Sequence, residues 1–150
     1  MGRTIHRLSR RQEGLLTVAP SRWHWPAILS AVGFSAFSAV HLIDEFVWGA
    51  PAEFHLTIQA TEMLALAYMV AVIGLTIAAS HRSPTGYLGL AIGGSLIAIA
   101  DVSKHGIEML AAGSWRSGLT SEFLALGLTL FALLTAITSF RAWRTASRDR

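Results

Sequence analysis

Residues 87–111 read YLGLAIGGSLIAIADVSKHGIEMLA, and this stretch decides what kind of protein the chain can be. Its first half is apolar enough to cross a bilayer. Its second half places Asp101, Lys104, His105 and Glu108 at i, i+3, i+4 and i+7, on one side of a helix. A helix that is spanning in length and carries an ionisable stripe must turn that stripe away from lipid, which offers polar groups no partners. It therefore needs other helices beside it.

Three further apolar runs supply them, at 26–48, 54–79 and 119–140. At 1.5 Å per residue each can cross ~30 Å of hydrocarbon. Short breaker-rich stretches separate the runs, with Gly49, Ala50 and Pro51 in the first, Ser83 to Gly86 in the second, and Gly113, Ser114, Ser117 and Gly118 in the third. Short connections make neighbours antiparallel, so the expected fold is an all-α membrane protein, an up-down-up-down four-helix transmembrane bundle.

The composition agrees. Of 150 residues, 53% are hydrophobic and 14% charged, too apolar for a soluble domain of this size. The 12 Lys and Arg exceed the 9 Asp and Glu, but the excess lies in a basic segment at 1–25 and a basic tail at 141–150, so no nucleic-acid partner is implied. With no cysteine, disulfides, thiolate metal sites and a cysteine nucleophile are excluded.

Arginines at 3, 7, 10, 11 and 22, at 82, and at 141, 144, 148 and 150 fall on one side, against Arg116 on the other. The positive-inside rule then puts both termini in the cytoplasm, for an inner-membrane protein. Trp23, Trp25, Tyr87 and Trp143 belong to the inner interface, and Trp48 and Trp115 to the outer one. Ile5, Leu8, Leu15 and Leu16 interleave with arginines, which suits either a short interfacial helix or a disordered basic tail. His6, His24 and His81 read as solvated.

Ionisable residues within spans cost about 2.5 to 3.5 kcal/mol each on insertion scales, so each needs a reason. The first span carries His41, Asp44 and Glu45, the second His55, Gln59 and Glu62, and the fourth Glu122, in addition to the third span's stripe. Counted back from the outer loops, His41, Glu62, Asp101 and His105 fall roughly 9 to 15 Å deep, with the others nearer the surface. His55, Gln59 and Glu62 stand at i, i+4 and i+7 and share one side of the second helix.

Six carboxylates against the single fixed cation Lys104 call for protons or a bound cation. Imidazole with carboxylate and no thiolate suits iron, manganese, zinc or copper. The candidate ligands are His41, Asp44, Glu45, Glu62, Asp101, His105, Glu108 and Glu122, with Lys104, His55 and Gln59 around them or meeting substrate. In ligand count this resembles the di-metal carboxylate bundles, with Glu62 and Glu122 as single carboxylates and His41-x-x-Asp44 and His105-x-x-Glu108 as paired ones, His preceding the acid. Haem between His41 and His105 ranks lower, because carboxylates are poor company for a porphyrin.

The chemistry open to such a centre is oxidation of a lipophilic substrate or quinol, or metal-assisted hydrolysis of a lipid group. The rivals are a proton- or cation-handling transporter or sensor, and an accessory subunit of a larger membrane complex whose polar network is structural.

Overall fold

The computed structural model describes residues 21–53, 55–110 and 118–148, without the side chains of 50, 53 and 107–110. The expected interfacial helix before residue 21, the third loop with Trp115 and Arg116, and the last two residues lie outside them.

Four long helices form the bundle: α1 (His24–Val47), α2 (Ile58–Ser80), α3 (Pro84–Leu110) and α4 (Leu119–Ala146), with one helical turn at Ala50–Glu53 between α1 and α2. All four are long and apolar enough to cross a membrane. Leu29, Ile43, Leu66, Ile99 and Phe123 are each at least 60% exposed, an outer surface that lipid tolerates and water does not. The packing order runs α1, α2, α3, α4 and back to α1, so α1 and α3 face each other across the diagonal. We call the end holding His24, Ser80, Pro84 and Ala146 the near end.

Two helix boundaries differ from the sequence expectation in ways that matter. α2 begins at Ile58 and not near 54, because the Thr57 hydroxyl accepts the Ala60 amide at 3.1 Å and caps the helix. His55 therefore precedes the helix, exposed and at φ 53°, and shares no helical face with Gln59 and Glu62. α4 continues past the apolar run to Ala146, which carries Arg141 over the Trp23 ring, 4.5 Å from its centroid.

With no hydrophobic drive between helices in lipid, close packing and interhelical hydrogen bonds must hold the bundle. Glycines and phenyl rings interlock at the α1/α4 seam: Phe131 fills the space over Gly33, Phe37 fills that over Gly127, and the two rings stack with centroids 5.2 Å apart. Ser30 and Thr138 hydroxyls bond across the same seam at 2.9 Å. Between α3 and α4 the approach is closer still, since a β-carbon at Gly94 would lie 2.7 Å from the Ala132 carbonyl oxygen. At the near end, His24 is buried and its Nδ1 lies 2.6 Å from the Tyr87 hydroxyl, so it is a packed histidine and not the solvated one expected.

Candidate metal centre

α1 and α3 each contribute a His and a carboxylate one turn apart, His41 with Glu45 and Asp101 with His105. An i, i+4 pair projects from one face, and these two faces meet across the diagonal of the bundle. His41, Asp101 and His105 are buried, at 7%, 6% and 6% exposure, and Glu45 is half-buried. The two rings meet edge to face, with centroids 5.6 Å apart.

The separations are informative. Glu45 Oε1 lies 3.4 Å from His105 Nε2 and 3.8 Å from His41 Nε2. Asp101 Oδ1 lies 3.7 Å from His41 Nε2 and 4.0 Å from His105 Nε2. These gaps exceed the ~2.7–3.2 Å of an N–H···O bond. Ligand atoms about 2.1 Å from a common ion stand ~3.4 Å apart if tetrahedral and ~4.2 Å apart if trans, and the observed distances fall in that interval. His41, Glu45 and His105 each bring one ligand-capable atom within 4.8 Å of the other two, a buried group that could hold a metal ion.

Both carboxylates also have partners outside the group. Lys104 Nζ donates to Glu45 Oε2, and Thr129 Oγ1, from α4, donates to Asp101 Oδ2, while Glu45 Oε1 and Asp101 Oδ1 lie nearest the imidazoles. The Ser38 and Tyr68 hydroxyls bond at 2.7 Å one turn below His41. His41 Nδ1 is buried with no hydrogen-bond partner among the described residues.

The remaining sequence candidates stand elsewhere. Asp44 is rotated about 100° from Glu45 on the helix, and the Ser121 hydroxyl of α4 donates to it at 2.5 Å. Glu122 is half-buried in the first turn of α4, where a helix N-terminus favours a carboxylate. Gln59 and Glu62 are exposed on α2. Glu108 belongs to the last turn of α3, its side chain outside the described residues. The described residues thus gather the group from two helices, not from four as the di-metal pattern would require. The spacing they use is four in both helices, not the three of His41-x-x-Asp44.

The group borders a cleft of about 630 Å³ between α1, α2 and α3. Leu42, Phe46, Leu56, Leu64 and Ile97 make its walls apolar, and Tyr68 lines it nearer the bundle's middle. This cleft and the partners Ser38, Tyr68 and Thr129 are not visible as site features in the sequence, because helix rotation decides them. Comparison with protein families, with curated proteins and with solved structures finds nothing that matches this chain, so its chemistry must be read from these side chains.

Proposed function

We propose that this four-span protein is a small membrane metalloprotein that binds one transition-metal ion through His41, Glu45 and His105, with Asp101 beside it, and acts on a lipophilic substrate held in the adjoining cleft. The single observation that carries this reading is the set of nitrogen–oxygen distances between 3.4 and 4.0 Å, too long for strong hydrogen bonds and suited to atoms that share an ion. Two imidazoles and one carboxylate, with further positions open, make a ligand set used by iron oxygenases and by zinc hydrolases. Iron, manganese or copper would supply oxidation of a quinol or other lipophilic substrate, and zinc would supply hydrolysis of a lipid group. Haem fits poorly, because Glu45 Oε1 lies within 3.8 Å of both ring nitrogens and would stand where the macrocycle must pass. The arginine distribution supports a cytoplasmic near end with cytoplasmic termini, which would put the centre in the outer half of the membrane.

The Lys104 contact to Glu45 and the Thr129 contact to Asp101 favour one alternative, an accessory subunit whose polar network is satisfied without an ion. Elemental analysis of detergent-purified protein separates the two. About one transition-metal ion per chain is expected, and its identity chooses between oxidation and hydrolysis. Metal-free protein that takes up none on incubation with iron, manganese, zinc or copper would leave the accessory reading.

A further inference from the structure

The cleft beside the metal-ligating group is open on its flank, not only at the end of the bundle. Leu64 and Ala100 line it, on α2 and α3 respectively, and both are exposed. Leu64 stands six residues, ~9 Å, inside α2, and Ala100 ten residues, ~15 Å, before the end of α3, so the mouth lies within the spanning length of both helices. The two helices are held together at their near ends, where a β-carbon at Gly86 would come within 2.5 Å of the Ala79 amide nitrogen and 2.8 Å of the Ala78 carbonyl carbon. Farther along, both helices line the cleft, with Leu64 and Ala65 from α2 and Ala100 and Lys104 from α3. An opening at that depth faces acyl chains, and what enters it comes from the bilayer.

The chemistry along the cleft is graded. Its walls are apolar, whereas one side ends on two imidazoles, Glu45, Asp101 and Lys104. Without an ion, two carboxylates against one ammonium make the polar end unfavourable to an anionic head group and favourable to one that donates hydrogen bonds. A volume of about 630 Å³ is within the ~300–1,000 Å³ range of small-molecule sites.

We infer that the cleft takes a single-chain amphiphile with a neutral, hydrogen-bond-donating head group, an alcohol or a phenol, which enters laterally from the bilayer between α2 and α3 and sets its head against the His41/Glu45/His105 group. The inference rests on the metalloprotein reading for what happens to that head group, but the binding itself needs no metal.

The test is photolabelling of the full chain in phosphatidylcholine liposomes with hexadecanol carrying a diazirine, the labelled residues being mapped by mass spectrometry. Leu42 and Tyr68, inside the cleft, are expected to label several-fold more than Leu66 and Ile73 on the outward side of α2. Ala100→Trp, which fills the mouth, should abolish that preference and leave outward labelling unchanged. Leu64→Trp does the same from the other helix should the first variant not fold. In protein stripped of metal by a chelator, the matching hexadecanoic acid probe at pH 8 should label the cleft less than the alcohol does.

Uniform labelling, or cleft labelling indifferent to both tryptophans, would overturn the inference, and a preference for the acid would overturn its head-group assignment. Metal content measured on the same samples keeps the two claims apart. Metal-free protein that labels in the cleft removes the metal reading alone, and metal-loaded protein that labels uniformly removes the amphiphile site alone.

Discussion

Protein carrying both His41→Ala and His105→Ala is expected to purify with less than about a tenth of the metal bound by the unaltered chain. The two imidazoles are two of the three side chains that converge within 4.8 Å, and Glu45 alone, already engaged by Lys104, cannot retain an ion. Loss of an outer partner of a metal ligand typically costs 10–100-fold in affinity, and loss of two direct ligands must cost more. Bound metal also stabilises whatever state holds it, by about 2.7 kcal/mol at a hundredfold excess over Kd. Added metal should therefore raise the melting temperature of the unaltered chain in detergent and leave that of the double variant unmoved. Lys104→Met provides the contrast, because it removes a cation that competes for Glu45 while leaving the ligands in place. Its affinity for a divalent ion is expected to rise about tenfold or more, a change of only ~1.4 kcal/mol or above. A lower affinity in Lys104→Met would mean that the ammonium positions Glu45 for the ion and does not compete with it.

The second large effect is on the scaffold. Gly94→Leu is expected to abolish or severely weaken the folded bundle, whereas Gly93→Leu, one residue away, should change stability by no more than about 0.5 kcal/mol. A β-carbon at Gly94 would stand 2.7 Å from the Ala132 carbonyl oxygen and 3.1 Å from the Ala136 amide nitrogen, and no side chain can rotate to relieve a clash with backbone. A β-carbon at Gly93 meets nothing within 4 Å. Overpacking usually costs about 1–3 kcal/mol, and more where α3 and α4, the most extensively packed pair, must separate. Because the Thr129 contact to Asp101 crosses the same interface, any Gly94→Leu protein that does fold should also bind metal more weakly. Thermal unfolding in detergent, followed by circular dichroism, distinguishes the two glycines. Equal melting temperatures for both variants would contradict the packing described for α3 and α4.

How far the sequence could lead is set by what each feature depends on. The four helices depend on long apolar runs and short breaker-rich loops, which are local and legible, and α1 to α4 fall where those runs lie to within a few residues at most ends. The start of α2 departs because Thr57 caps it, which removes His55 from the stripe it would have shared with Gln59 and Glu62. The meeting of His41 with His105 is legible from depth, since both lie at a similar distance from their helix ends.

Helix rotation is not legible in the same way. Whether Asp44 or Glu45 faces the interior turns on 100° of phase, and that phase is fixed by Phe131 over Gly33 and Phe37 over Gly127, contacts between helices almost a hundred residues apart in sequence. Glu62 stands only four residues, ~6 Å, inside α2 because the helix starts late, and its helix turns it to the surface. His24 reads as solvated because it precedes the first apolar run, and only the approach of Tyr87 from α3 buries it.

X-ray absorption at the edge of the bound metal tests most directly whether His41, Glu45 and His105 form a coordination centre. Two imidazole nitrogens at ~2.0–2.1 Å together with oxygen ligands are expected, reduced to one imidazole in His105→Ala. A spectrum without imidazole scattering, or one that His105→Ala leaves unchanged, would contradict the account.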